Sequence, residues 1–129
     1  MVNIKEYQEL CKKTAKECET KDLEVCNWGL GLAGEAGDVA SCIKKSVFHK
    51  NDKIVIGIRE NVGDMMWYTA MICNFYNWDL DEILTENLDK LNKRYSSGGF
   101  TLEEAQRQGT MKKWSGEDSE VKIVGGING

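Results

Sequence analysis

Proline is absent from all 129 residues, so nothing in the chain forces a helix to kink or stop. Punctuation is left to glycine and short polar turns, which fits a mostly helical protein. Histidine occurs once, at His49, and the five cysteines (Cys11, Cys18, Cys26, Cys42 and Cys73) form no CxxC pair. An odd, scattered set of thiols argues against a disulfide framework and gives zinc no ligand spacing; it fits a reduced, cytoplasmic setting. No stretch reaches the roughly 18–20 continuous apolar residues of a membrane span, and no signal-like segment precedes the first helical pattern. An excess of basic charge is also missing: 17 Lys and Arg face 21 Asp and Glu, a net charge of −4. Nucleic acid and membrane are therefore not expected partners, and a polyanionic ligand would need a metal and a local basic patch.

What is present is helical periodicity, in an amount suited to one domain. Ile4, Tyr7, Cys11, Thr14 and Cys18 recur at steps of three and four, predicting an amphipathic helix over residues 3–19. A second helix is predicted from an N-cap at Asp22 to about Val47. Its interior holds Gly29, Gly31, Gly34 and Gly37, each worth about 1 kcal/mol against alanine, which asks for close approach by another helix or a ligand. A broken helix is the alternative. A third helix is predicted from about Lys53 to Tyr76, with Ile54-Val55-Ile56 open to a strand reading at its start. Asp79 and Glu82 resemble a capping box for a fourth helix, whose apolar stripe is Leu80, Leu84, Leu88, Leu91 and Tyr95. Thr101 opens a short helix to about Lys112. The expected organisation is one helical domain over residues 1–114 and a flexible tail over 115–129, where Val121–Val124 could pair as an edge strand.

The chemistry concentrates between residues 30 and 68. Glu35 and Asp38 are three apart on the second helix, and Asn61 and Asp64 are three apart on the third. Residues at that spacing share a helix face, so two such faces turned together would make a cage of oxygen ligands suited to Mg²⁺. Asp64 lies in an apolar stretch, where a carboxylate is costly unless paired or metal-bound. Buried salt bridges to lysines are the dry alternative. Lys44, Lys45, His49, Lys50 and Lys53 cluster at the end of the second helix, as phosphate ligands or as partners of the helix dipole. Asn87, Lys90 and Arg94 form a polar stripe on the fourth helix, able to hold phosphate oxygens or simply solvated.

The ordered set Asn27-Trp28, Gly31 to Asp38, Ile43-Lys44-Lys45, Phe48-His49 and Glu60 to Tyr68, followed by Asn87-Leu88, Lys90-Leu91, Arg94-Tyr95 and Gly99-Phe100, resembles the MazG-like nucleotide pyrophosphohydrolases. The likeness covers roughly residues 24 to 107. It implies an all-α fold with a four-helix-bundle core, a homodimer or dimer of dimers, and Mg²⁺ (with Mn²⁺ as a substitute) held by acidic patterns EExxE and ExxD. Carried over, Glu35 and Asp38 match the second and third acids of the first pattern and Asp64 the last acid of the second. Tyr68 matches a ligand-contacting tyrosine. Three positions depart: Gly34 stands at the first acid, Asp38 is one methylene short, and Asn61 replaces a Glu with a group that offers a carbonyl oxygen but no charge.

The implied activity is hydrolysis of a (deoxy)nucleoside triphosphate to the monophosphate and pyrophosphate, for nucleotide pool cleaning or control. Glu35, Asp38 and Asp64, assisted by Asn61, would hold the metal, with Glu35 as proton acceptor. Lys44, Lys45, Asn87, Lys90 and Arg94 would meet the phosphates, and Trp28 or Trp67 would stack on the base. A catalytically weak nucleotide-binding dimer, serving as a sensor or partner-binding module, is the alternative that Asn61 favours. Action on a phosphoribosyl nucleotide is a third reading.

Overall fold

The structure is a computed structural model and describes residues 1–106. Five α-helices follow one another: α1 Ile4–Cys11, α2 Lys21–Phe48, α3 Val55–Tyr76, α4 Leu80–Arg94 and α5 Leu102–Ala105. Short 3₁₀ turns occupy Lys12–Thr14 and Asp52–Ile54, and no strand occurs among the described residues. The all-α expectation therefore holds. The chain divides into one unit over Met1–Glu86 and another from Asn87 onward. The expected helix beyond Gln106, the tail and the edge strand lie outside the described residues.

The α2–α3 hairpin is the backbone of the first unit. On α2 the shielded positions include Trp28, Leu32, Glu35, Val39, Cys42 and Ser46; on α3 they include Ile58, Asn61, Met65, Tyr68, Ile72 and Phe75, besides the fully buried Ala70, Met71 and Cys73. Alternating steps of three and four on both helices make a seam of the coiled-coil kind. The helices run antiparallel, since Tyr68 lies on Gly31 while Asn61 and Gly57 reach Cys42 nearer the connecting turn. Glu35 and Asn61 near its middle and Ser46 toward the connecting turn interrupt the apolar character of the seam. α2 is continuous through its four glycines, and Ile54-Val55-Ile56 enters a helix rather than a strand.

α1 packs on α3, and Cys11, Trp28, Ala70 and Met71 form the buried cluster between the helices. Gln8 ties three segments together. Its Nε2 donates to Asn74 Oδ1 at 3.0 Å and to the Trp78 carbonyl at 2.8 Å, while its Oε1 accepts the Leu80 N–H at 2.9 Å. Asn74 Nδ2 returns a bond to the Gln8 carbonyl at 3.0 Å.

Three boundaries differ from the sequence reading, each for a local reason. α1 stops at Cys11 instead of continuing to residue 19, because the Thr14 hydroxyl donates to the Cys11 carbonyl at 3.2 Å and accepts the Trp67 indole N–H at 2.9 Å. A hydroxyl that satisfies the last carbonyl and docks on α3 favours leaving the helix. α2 is capped by Thr20, whose Oγ1 accepts the Leu23 N–H at 3.2 Å, and Asp22 falls in its first turn. At α4 the capping box gives way to a shorter Asx bond from Asp81 N–H to Asp79 Oδ1 at 3.0 Å, and Gln8 takes the Leu80 N–H. Asn77, in the left-handed conformation at φ 55°, makes the reversal between α3 and α4.

Candidate functional site

Glu35 occupies a seam position on α2, half-buried, whereas Asp38 sits one turn on at the exposed flank of the same helix. On α3 Asn61 is the half-buried seam residue and Asp64 the exposed flanking one. Asp64 is therefore not sunk in apolar surroundings, as its sequence neighbours suggested: the apolar residues around it face other sides of the helix. The hairpin places Asp64 opposite Glu35. Its electrostatic consequence is direct: the Glu35 carboxyl is held above its ordinary pKa of 4.5, first by partial shielding from water, then by the charges of Asp64 and Asp38.

No cation offsets this cluster. The ion pairs among the described residues are Lys12–Glu9 and Lys21–Glu24, both on the surface, so the buried salt bridges offered by the sequence are not formed. Nor are three of the Asp, Glu, His or Cys side chains of the described residues gathered closely enough to enclose an ion. The donors nonetheless fit a hard divalent cation in kind: three carboxylates on neighbouring turns of paired helices, one of them with its pKa raised by shielding from water and then by the other two. Closing the shell would take rotation of the flanking carboxylates.

Asn61 Nδ2 lies 3.8 Å from Cys42 Sγ across the seam, which leaves its carbonyl oxygen as the group available to a ligand. Tyr68, one turn beyond Asp64, rests its ring on Gly31, one turn before Glu35. Gly31 is thus the one α2 glycine of the four with a close neighbour; Gly29, Gly34 and Gly37 face open space, with no other helix of the described residues against them. Trp28 is 2 % exposed and packs edge-on against Trp67 at 5.3 Å between ring centroids. It has no free face for a base in this conformation and serves as core. Trp67 is half-buried, with its N–H already given to Thr14.

Lys44 and Lys45 are both exposed, in the last turns of α2. Counting about 100° per residue, Lys45 falls on the flank of Asp38 two turns on, and Lys44 points away toward the open side. Asn87, Lys90 and Arg94 lie in the second unit, the first two exposed and Arg94 half-buried. One residue of the site escaped the sequence reading. The Tyr7 hydroxyl has its pKa pushed up to about 12, mainly by burial, then by the Cys11 thiol it contacts, with the Asp64 charge adding to both. Its only signal in the sequence was a place on the apolar face of α1.

This arrangement defines an all-helical protein whose paired helices present carboxylates and an amide on one flank. The MazG nucleotide pyrophosphohydrolase domain matches residues 27–99, and the chain belongs to that family. That span contains α2 from Asn27, all of α3 and all of α4, and so every residue expected in the site. The chain is also similar to the Gene 37 protein of Mycobacterium phage L5, 36 % identical over 73 residues. That alignment takes in 54 % of this chain and 64 % of the phage protein. No solved structure matches.

Proposed function

We propose that the protein hydrolyses a (deoxy)nucleoside triphosphate to the monophosphate and pyrophosphate, for nucleotide pool cleaning or control. The observation that carries this reading is the Glu35–Asp38–Asp64 group on the α2–α3 hairpin of a MazG-family chain, where shielding from water and then the charges of Asp64 and Asp38 raise the Glu35 pKa and no cation of the described residues pairs with it. Such a group is built to be neutralised by a divalent metal, Mg²⁺ or Mn²⁺, with the Asn61 carbonyl as an uncharged fourth donor. A bound ion would supply positive charge for phosphate oxygens and acidify a water. Glu35 accepts the proton of the water whose oxygen forms the new bond to the α-phosphorus; the bond from that phosphorus to the bridging oxygen breaks, and pyrophosphate leaves. Lys44, Lys45, Asn87, Lys90 and Arg94 are assigned to the phosphate oxygens, with Lys45 first to test because it shares the Asp38 flank. Tyr68 bounds the nucleoside. Cytoplasmic location follows from such a substrate.

A homodimer or dimer of dimers belongs to the same proposal. Leu30 is 74 % exposed and Phe48 76 %, both on the side of α2 turned away from the seam. A second hairpin laid there would complete a four-helix bundle and cover them.

The test is pyrophosphate release from a panel of canonical and modified nucleoside triphosphates, with Mg²⁺, with Mn²⁺ and with EDTA. Metal-dependent release that falls at least 100-fold in Asp64→Ala supports the hydrolase. Silence across the panel, with nucleotide still bound, would leave the second reading, a nucleotide sensor. Asn61 favours that reading, since it gives the site an amide turned to Cys42 where an acid would add charge. Asn61→Glu separates the two: a large gain in turnover marks a site weakened by the amide, no gain marks a site complete without it.

A further inference from the structure

A cavity of about 250 Å³ opens where α1 meets the turn between α3 and α4, wholly within the first unit. Its walls are Lys5, Glu9 and Lys12 from α1 and Asn77, Trp78 and Asp79 from the turn. Gln8 and Asn74, bonded to each other, make its floor. Asn74 is ten residues beyond Asp64, about 15 Å along α3, so the cavity is separate from the carboxylate group. The floor groups satisfy one another, but several wall groups have no partner. Lys12 Nζ meets Glu9 Oε1 at 2.7 Å, which leaves Lys5 as the wall cation with no ion pair among the described residues. The Asn77 side-chain amide and the Trp78 indole N–H make no hydrogen bond among those residues either. Asp79 Oδ1 accepts the Asp81 N–H at 3.0 Å, and Oδ2 is left for a ligand. Trp78 is 51 % exposed, with Tyr76 stacked on one face of its ring at 4.6 Å and 20° between planes. Trp78 lines the cavity and Tyr76 does not, so the uncovered face and edge of the indole are what the cavity presents.

We propose that this cavity is a binding site for a nucleoside monophosphate, with the base on Trp78 and the phosphate on Lys5. A free aromatic face asks for a flat ring. Asn77 offers a donor and an acceptor and Asp79 a further acceptor, so the ring must carry complementary groups along its edge. A nucleobase does so and a simple aromatic acid does not. One unpaired lysine asks for a single anionic group. A triphosphate would bring more negative charge against Glu9 and Asp79, which favours the monophosphate. The volume is at the small end for a ligand site and admits a ligand of nucleoside size, its phosphate at the rim beside the exposed Lys5. The same class of molecule is the product of the proposed hydrolysis, yet the lining of the cavity requires no hydrolysis to bind it.

The experiment titrates the nucleoside monophosphate of each base into the full chain in EDTA, which keeps metal-bound nucleotide off the carboxylates, and reads binding by calorimetry. The nucleosides, the nucleoside triphosphates and inorganic phosphate are titrated alongside. At least one monophosphate should saturate at one per chain, more tightly than its nucleoside, its triphosphate or phosphate alone. Trp78→Ala and Lys5→Ala should each weaken that binding about tenfold with circular dichroism unchanged, while Asp64→Ala binds as the wild type does. Absence of binding by every monophosphate would overturn the proposal. Inorganic phosphate binding as tightly as the monophosphate would do so too, by marking a plain anion patch. A loss in Asp64→Ala with none in Trp78→Ala would place the ligand among the carboxylates and sink it equally. Should Trp78→Ala not fold, Asn77→Gly replaces it, since glycine keeps the left-handed turn and removes only the amide. Wild-type affinity in both Asn77→Gly and Lys5→Ala is then the overturning result. Failure of the hydrolase reading is read elsewhere, as no pyrophosphate release with metal, and the titration in EDTA would still report.

Discussion

At Glu35 the sign of the pKa shift sets a pH dependence. The folded chain holds this proton at higher pH than the unfolded chain, whose value is near 4.5. In the window above 4.5 the native state therefore binds more protons than the unfolded state, and stability falls as pH rises through it. Above the window Glu35 is an ionised, repelled group in the metal-free protein. Glu35→Gln should accordingly raise the melting temperature without metal at pH 7 and abolish the further rise on adding Mn²⁺. A variant that melts lower without metal, or keeps the metal response, would contradict the arrangement. Tyr7 gives a second window. Its folded pKa of about 12 stands above the ordinary 10.0, so stability should fall as pH rises from 10 to 12. Melting curves of Tyr7→Phe across that range should lose this part of the slope. Both residues report on Asp64, one from the facing helix and one from α1.

Glycine divides the α2 helix into two kinds of position. Gly34 and Gly37 have open space where a β-carbon would go, so their replacement by alanine removes only the flexibility of the unfolded chain and the poor helix propensity. At protein concentrations low enough to keep the chain monomeric, each of Gly34→Ala and Gly37→Ala should stabilise by about 0.5–1 kcal/mol in chemical denaturation; both share the face of Leu30 and Phe48, so the gain should shrink where a second copy covers that face. A loss at either would mean that something covers that side of the helix in solution. Elsewhere one side chain joins elements. Gln8 is 8 % exposed and bonds α1 to the end of α3, the following turn and the first N–H of α4. Gln8→Ala leaves the buried Leu80 N–H without its acceptor and removes the donor to Asn74 Oδ1 and the Trp78 carbonyl, an expected loss of about 2–3 kcal/mol. Gln8→Glu keeps the acceptor for Leu80 but turns a second carboxylate oxygen toward the Asn74 and Trp78 carbonyls, and should lose at least as much in the same titration.

As a whole the chain is rich in uncovered apolar side chains. Leu30, Phe48, Ile56 and Val47 are each more than 60 % exposed, at 74, 76, 69 and 64 %. The proposed second copy across α2 would cover Leu30 and Phe48, and it predicts a melting temperature that rises with protein concentration. Leu30→Lys and Phe48→Lys should shift the mass seen by analytical ultracentrifugation toward the monomer and flatten that dependence. A wild type that sediments as a monomer at all concentrations would refute the assembly and leave the α2 face without a partner.

The helical class and the pairing of Glu35 with Asp38 and of Asn61 with Asp64 could be read in the chain, because helix faces are set by local spacing. The ordered motifs carried the family. What spacing could not give is which turn of α2 meets which turn of α3. That register put Tyr68 on Gly31, Cys42 against Asn61 and Asp64 opposite Glu35, and it left Gly29, Gly34 and Gly37 bare. Trp28 reads in sequence as an aromatic next to a glycine-rich site; only packing against Trp67 and Tyr68 makes it core. The early end of α1 follows from the Trp67–Thr14 bond, a contact 53 residues apart. Local spacing determined the elements and their faces; side chains distant in sequence decided where elements stop and which polar groups meet, because burial and hydrogen bonding are settled only when the helices pack.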